Sequence, residues 1–103
     1  MTLKEIKQLI EHRKYDYSQK VRDNIEDGYF DLKDIEHCIL SAKSIRKKER
    51  DELGQAVGGL KYIIIGKDTH GQLFYTVGKV LQSYSGQFYF YIWFIRDFYG
   101  GSF

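Results

Sequence analysis

The sequence has 103 residues, enough for one domain that closes a hydrophobic core without disulfides or metal. Its net charge is only +2, so overall charge does not indicate a nucleic-acid or membrane partner. Cys38 is the single cysteine, which excludes an intramolecular disulfide. The N-terminal segment lacks the apolar core of a signal peptide, and the longest apolar run, residues 88–95, is far shorter than the roughly 20 residues of a membrane-spanning helix. We therefore expect a cytoplasmic protein that does not enter a membrane.

Three amphipathic helices are predicted within residues 2–42. Thr2 and Glu5 have the spacing of a capping box, and apolar residues then recur at helical spacing. A second helix is predicted to begin at residues 16–18 and to end near Gly28, because glycine favours the conformation that follows a helix. Asp31 is the predicted N-cap of the third helix.

Strands are predicted after the helices. Ser44–Lys47 is a short candidate strand, and Lys47–Gly59 is charged and glycine-bearing, as exposed loops are. Lys61–Lys67 and Leu73–Val80 form a hairpin, and Gln87–Ile95 is the third long strand. Helices followed by strands favour an α+β fold, in which N-terminal helices pack on a C-terminal antiparallel β-sheet. Residues 1–103 are thus predicted to form a single domain, with helices at about 2–42, a sheet at about 44–95 and a divergent tail at 96–103.

The register of the hairpin decides which side chains share a face. A four-residue turn at 68–71 would place Lys61 and Tyr75 on opposite faces of the sheet. A bulge at a glycine would change that register. Gly66 and Gly78 lie inside the predicted strands, which indicates bulges or a close approach of the backbone.

The last strand carries aromatic or aliphatic residues on both faces. Three short helices can cover one face of the sheet but not both. The strand is therefore either central and covered on both sides, or one of its faces meets a partner, because large exposed apolar patches are often interfaces. Strict alternation predicts Phe88, Phe90, Ile92 and Phe94 on one face, and Tyr89, Tyr91, Trp93 and Ile95 on the other.

Few residues have the pattern of a reactive site. His12, His37 and His70 are scattered, without metal-ligand spacing to one another, to a cysteine or to a carboxylate pair. We therefore expect surface histidines, with neither a metal nor a cofactor. Cys38 flanks the apolar face of the third helix and is predicted to be a small buried hydrophobic residue.

Basic and aromatic side chains form the remaining candidate set. A sheet face that offers cations for phosphates and rings for unstacked bases can bind single-stranded nucleic acid. The competing interpretation is that lysines at strand ends and aromatic residues in a core are ordinary features of a sheet. The set comprises Lys20, Arg22, Lys43, Arg46, Lys47, Lys48, Arg50, Lys61, Lys67, Lys79, Tyr75, Tyr89, Tyr91 and Trp93.

One pattern runs through Tyr17–Arg22, Phe30–Glu36, Ile39–Leu40, Ile45, Lys61–Gly71, Phe74–Lys79 and the final aromatic strand. This pattern resembles the bacterial domain-of-unknown-function family 4258, whose members read Ser-x-His-Ala-x-x-Arg and then Ile-Ser-x-x-Asp-Ile, followed by Gly-x-Ile and a hairpin. The chain differs at Lys20, where the family carries His, and at Asn24, where it carries Arg. This family is similar to the RelE, BrnT and MqsR toxins, small α+β proteins that cut mRNA without a metal and are neutralised by an antitoxin.

The resemblance implies a toxin-type endoribonuclease with RNA and an antitoxin as partners. Cleavage beside a 2′-OH needs a group that removes its proton, cations that stabilise the phosphorane and a donor for the leaving 5′-oxygen. Toxins of this type often use Lys, Arg and Tyr for these tasks. The candidates are Lys61, Tyr75 and Lys79 for catalysis, Arg46 and Lys47 as phosphate clamps, and Lys20 and Arg22 for RNA binding.

A second hypothesis does not involve catalysis. In it the chain is a non-enzymatic protein-binding module or a homodimer, whose interface is the aromatic face that carries Tyr89, Tyr91 and Trp93.

Overall fold

The computed structural model describes residues 1–98, which form three helices and a five-stranded sheet. The helices come first and the long strands afterwards, so the predicted α+β class is confirmed. Of the predicted tail, Arg96 and Asp97 belong to the last strand, and 99–103 lie outside the described residues. The elements are α1 (Leu3–Glu11), β1 (Tyr15–Tyr17), α2 (Gln19–Glu26), α3 (Leu32–Ser41), β2 (Ile45–Arg50), β3 (Leu60–Lys67), β4 (Leu73–Gln82) and β5 (Phe88–Asp97), with a 3-10 turn at Val57–Gly59 before β3.

The helices begin where the sequence predicts. Thr2 and Glu5 exchange the two hydrogen bonds of a capping box at the start of α1. Asp31 and Asp34 form a second capping box at the start of α3. Each box satisfies backbone N–H groups that have no partner inside the helix.

Two helices end in the same hydrogen-bonding pattern but with different residues. After α2, Gly28 adopts φ +83°, and the N–H groups of Gly28 and Tyr29 bond back to the last turn. After α1 the equivalent position is Arg13, with φ 56°, the single non-glycine residue with positive φ among residues 1–98. Both ends are Schellman motifs, in which a left-handed residue satisfies the last carbonyl groups.

The strand order is β1-β5-β4-β3-β2. β2, β3, β4 and β5 are antiparallel neighbours, whereas β1 pairs in parallel with β5 through Tyr15 opposite Phe90 and Tyr17 opposite Ile92. The sheet is therefore mixed rather than wholly antiparallel. A three-residue strand is too short to show an alternating pattern, which is why the sequence does not predict β1.

All three helices contact the sheet, and the core lies between them and one sheet face. Two glycines permit this packing, as the sequence predicts. A Cβ at Gly66 would collide with the carbonyl oxygen of Cys38 in α3, and a Cβ at Gly78 would collide with the Phe90 ring. The core side chains are Ile6, Ile10, Val21, Phe30, Ile35, Cys38, Ile39, Ala42, Tyr62, Ile64, Phe74, Val80, Phe90, Ile92 and Ile95.

The hairpin turn is one residue longer than the sequence suggests. Lys67 pairs with Leu73, which leaves five residues in the turn, and Ile65 pairs with Tyr75. A shift of one residue moves every side chain of a strand to the other face. Lys61 and Tyr75 therefore lie on the same face, and the opposite-face arrangement expected for a four-residue turn is wrong.

A β-bulge in β5 changes the predicted alternation. Phe94 pairs with Val77, and Ile92 pairs with Gly78, so Trp93 is an extra residue without a partner on β4. After the bulge the alternation is inverted. Ile95 is buried in the helix-covered core, and Phe94 lies on the other face, which reverses the assignment of these two residues.

Candidate functional site

The sheet face opposite the helices carries most of the candidate residues, and we call it the helix-distal face. Its members are the residues whose strand neighbours point into the helix-covered core. They are Lys47 and Glu49 on β2, Lys61, Ile63 and Ile65 on β3, Tyr75, Val77 and Lys79 on β4, and Tyr89, Tyr91, Trp93 and Phe94 on β5.

One row of polar side chains crosses the whole sheet on this face. Glu49 is paired with Lys61, Lys61 with Lys79, Lys79 with Tyr91, and Tyr91 with Asp16 of β1. Strands lie about 4.8 Å apart, so the row spans roughly 19 Å. It places an acid at each end and two lysines side by side in the middle.

Lys79, a predicted catalytic residue, is held in a buried ion pair. Its Nζ lies 3.3 Å from Oδ1 of Asp51 and 3.0 Å from Oε1 of Gln55, and the residue is only 5% exposed. Asp51 belongs to the loop that follows β2 and folds over the end of β4. The ammonium of Lys79 is therefore engaged as the counter-ion of this loop.

Asp51 organises the loop by accepting several hydrogen bonds. Its Oδ2 accepts from the backbone N–H groups of Gln55 and Ala56, at 2.8 Å each, and its Oδ1 accepts from that of Leu53 at 3.3 Å. Burial raises the pKa of Asp51, but these N–H donors and Lys79 outweigh burial and hold its pKa below the ordinary value. The ionised carboxylate of Asp51 thus holds the loop in its conformation.

Lys61 lies beside this ion pair and over an aromatic ring. Its Nζ is 5.8 Å from the ring centroid of Trp93, whose exposed fraction is 54%. A cation at this distance is attracted by the face of the indole. A cavity of about 250 Å³ opens here between Trp93, Val77 and the loop residue Leu53. We call it the Trp93 cavity.

Tyr75, the third predicted catalytic residue, lies on the same face but further along the sheet. It pairs with Ile65, four residues from Lys61, which corresponds to about 13 Å along the strand. Its ring contacts those of Phe94 and Phe98, with centroids 5.8 and 6.4 Å away. The structure thus brings Lys61 and Lys79 together and does not bring Tyr75 to them.

The predicted RNA-binding cations are spread along two edges of the sheet. Lys47 lies in β2, where its Nζ is 3.3 Å from Glu49, and Arg46 is exposed at the β2 bulge. Lys20 and Arg22 of α2 are exposed, with Lys20 4.5 Å from the Phe94 ring centroid and Arg22 5.2 Å from that of Tyr17. Lys47 and Lys20 thus flank the helix-distal face from opposite sides.

The predicted partner interface lies on the helix-distal face between these edges. Tyr89 and Tyr91 are half-buried, and Trp93 is exposed. Tyr89 also lines a wider cavity of about 620 Å³ with the basic residues Arg13 and Lys14. The aromatic side chains are therefore accessible in the described part of the chain, as an interface requires.

Glu49 and Asp51 are site residues that sequence reasoning missed. Both lie in the stretch that the sequence predicts as an exposed loop, and charged residues there look like an ordinary solvated surface. Their positions depend on the pairing of β2 with β3. The one available signal is the alternation of Lys47 and Glu49, which puts these two charged side chains on one face of a strand.

Two of the three histidines have rings that contact backbone carbonyl groups. Nδ1 of His37 lies 2.6 Å from the Lys67 carbonyl oxygen, and Nδ1 of His12 lies 2.9 Å from that of Gln8. Cys38 is fully buried, as predicted, and burial raises the pKa of its thiol to about 12. Within residues 1–98 no three His, Cys, Asp or Glu side chains are grouped as metal ligands.

Comparisons of the chain with protein-family models, with curated proteins and with solved structures found no match. None of the helices in residues 1–98 has both the length and the apolar character needed to cross a membrane.

Proposed function

We propose that the chain binds single-stranded RNA on the helix-distal face and cleaves it as a toxin-type endoribonuclease that an antitoxin neutralises. The observation that carries the proposal is the position of Lys61, whose ammonium lies over the exposed ring of Trp93. Single-stranded RNA is bound by such pairs, because the cation meets the backbone and the ring stacks on a base.

The row across the sheet supports the chemistry. Glu49 stands directly opposite Lys61 and lies 3.3 Å from Lys47. In the proposed reaction Glu49 removes the 2′-OH proton, and the 2′-oxygen attacks phosphorus. Lys61 and Lys47 stabilise the phosphorane. The P–O5′ bond breaks, and the leaving 5′-oxygen takes up a proton from water. The products therefore carry a 2′,3′-cyclic phosphate and a 5′-OH.

The different positions of Lys61, Lys79 and Tyr75 indicate that these residues have different roles. Lys61 is partly exposed and faces the cavity, whereas Lys79 is bound by Asp51 beneath the loop. We assign Lys61 to the phosphate, and we assign Lys79 to holding the loop in place. Tyr75 lies too far along the sheet to reach the same phosphate, so its place in the proposal is RNA contact rather than catalysis.

The proposal is tested by induced expression in a bacterial host, with growth and mRNA integrity followed over time. Wild type should arrest growth and degrade mRNA, whereas Lys61→Ala and Glu49→Gln should not. Tyr84→Ala is the matched control, because Tyr84 is a fully exposed ring in the β4–β5 turn and is not among the residues that line the Trp93 cavity. Purified protein should cut a labelled RNA in the presence of EDTA. No cleavage and no arrest at a soluble, well-expressed level would refute the nuclease.

A protein-binding function is the second candidate, favoured by one observation. Leu53 is 75% exposed beside the 54% exposed Trp93, so two large apolar side chains share one face. In this alternative a partner protein or a second copy of the chain covers them. Sedimentation of the purified chain would show a dimer, and Trp93→Lys would convert it to a monomer.

A further inference from the structure

We propose that the Trp93 cavity receives one unstacked base of single-stranded RNA, and that it prefers a base with an exocyclic amino group. This inference rests on the proposed function, because it names the part of the RNA that the helix-distal face recognises. It does not require that the RNA is cut.

The size of the cavity fits a single flat ring. Its volume is about 250 Å³, below the roughly 300–1,000 Å³ of pockets that enclose drug-sized ligands. Its walls are apolar on two sides, with the indole of Trp93 on the sheet and Leu53 on the loop. Proteins that read an unstacked base hold it between aromatic and apolar side chains in this way.

The bulge in β5 positions Trp93 at the cavity. Trp93 is the extra residue of the bulge, and it lines the cavity together with Val77 and Lys79 of β4. Bulges commonly redirect a side chain next to a functional site. Trp93 thus remains exposed on the helix-distal face, where the loop residue Leu53 also lines the cavity.

The charges around the cavity fit a nucleotide. Lys61 lines the cavity, and its ammonium lies 5.8 Å from the centroid of the Trp93 ring, within reach of a phosphate attached to a base in the cavity. Among the described residues it has no carboxylate within ion-pair distance, whereas Lys79 is paired with Asp51. Lys61 is thus the lysine of the cavity whose charge is available to a ligand.

Glu52 supplies the preference among bases. It lines the cavity and is exposed, and its carboxylate accepts hydrogen bonds but donates none. Adenine, cytosine and guanine present an amino group to such an acceptor, and uracil does not. We therefore expect adenine-rich RNA to bind more tightly than uracil-rich RNA.

Trp93 is the only tryptophan in the sequence, so its fluorescence reports on this cavity alone. Wild-type protein is titrated with single-stranded hexamers of adenylate, of uridylate and of abasic ribose phosphate. Binding of 3′-fluorescein-labelled copies is followed in parallel by anisotropy. The adenylate hexamer should quench Trp93 with the same midpoint as the anisotropy change, and the abasic hexamer should bind at least tenfold more weakly without quenching.

Single substitutions distinguish the contribution of the Trp93 ring to binding from that of the charged residues around it. Trp93→Leu should weaken adenylate binding about tenfold or more, as loss of base stacking does, and Glu52→Gln should reduce the preference for adenylate over uridylate. Lys61→Ala should raise the midpoint severalfold and keep the quenching at saturation. Tyr84→Ala, which removes an exposed ring in the turn after β4, should leave both signals unchanged. Circular dichroism confirms that each variant is folded.

The outcomes distinguish this inference from the proposed function. Anisotropy that rises without Trp93 quenching, or that is unaffected by Trp93→Leu, would refute the base site and leave RNA binding standing. Quenching by adenosine monophosphate at the same concentration as the hexamer would show that a free nucleotide is the ligand, which overturns RNA as the source of the base. No anisotropy change with any hexamer would refute both.

Discussion

The ammonium of Lys79 lies 3.3 Å from the carboxylate of Asp51, and both side chains are almost fully buried. Lys79 comes from the centre of the sheet and Asp51 from the loop after β2, so this ion pair, together with the Lys79–Gln55 hydrogen bond, holds the loop against the helix-distal face. The same pair forms one wall of the Trp93 cavity.

Removing Asp51 and removing Lys79 should lower the free energy of unfolding by different amounts. Asp51→Ala removes the acceptor of three backbone N–H groups and leaves a buried ammonium, so we expect a loss of about 3–5 kcal/mol in the free energy of unfolding. Lys79→Met leaves Asp51 with its N–H donors and should cost about 1–3 kcal/mol. Urea titrations compare the two variants. Equal losses would show that the loop contacts of Asp51 contribute nothing.

Stability should fall in acid partly through Asp51. Its folded pKa lies below the ordinary value of about 3.9, so its contribution is complete above that pH and is lost as the pH falls through the folded pKa. Asp34, whose pKa is also held low by hydrogen bonds from Thr69 and Asp31 despite burial, acts in the same direction. Urea midpoints at pH 6, 4 and 3 should decline less in Asp51→Asn than in wild type. Glu52→Gln, a neighbouring exposed position, is the control and should follow wild type.

The two Schellman motifs predict opposite effects of substitution. Arg13→Gly should stabilise the protein by up to about 1 kcal/mol, because it removes a side chain from a left-handed position at which glycine is unstrained. The greater freedom of glycine in the unfolded chain offsets part of the gain. Gly28→Ala should destabilise by about 1 kcal/mol for the converse reason. Thermal unfolding measures both, and Arg13→Ala, which keeps a Cβ, should show no comparable gain.

The two strand glycines should differ in whether a second substitution rescues them. Gly66→Ala would collide with backbone in α3, so we expect a loss of about 3 kcal/mol that no side-chain change relieves. Gly78→Ala would collide with the Phe90 ring, and Phe90→Leu should relieve part of that loss. A double-mutant cycle for Gly78→Ala and Phe90→Leu should therefore give less than the sum of the single effects. Strict additivity would contradict the predicted contact.

The parts of the fold that the sequence predicts well are those encoded locally. The pair Thr2 and Glu5, the N-cap Asp31 and the terminator Gly28 each act within a few residues of the helix end that they mark. The long β-prone runs likewise mark their strands by local composition. These signals can be recognised without knowing what the segment packs against.

The errors concern features that depend on pairing. One extra turn residue moved Tyr75 to the face of Lys61, and one bulged residue exchanged the faces of Phe94 and Ile95. Neither shift changes composition or periodicity enough to be read from a single strand. The candidate site depends on both, since the row from Glu49 to Asp16 exists only in the observed register. The lysines and aromatic rings of the candidate site could be named from the sequence, but their grouping on the sheet could not.

The parallel pairing of β1 with β5 imposes an order on folding. Tyr17 pairs with Ile92, and the hydroxyl of Ser18 donates to the carbonyl oxygen of Trp93, 75 residues further along the chain. Closing so long a loop is slow, because its entropy is lost before the contacts that repay it have formed. During synthesis β1 and α2 cannot dock on the sheet until the final strand is made, whereas α3 can already pack on β3. Until β5 is added, the edge of β4 with which it pairs is open, and the chain is most prone to aggregation at this stage.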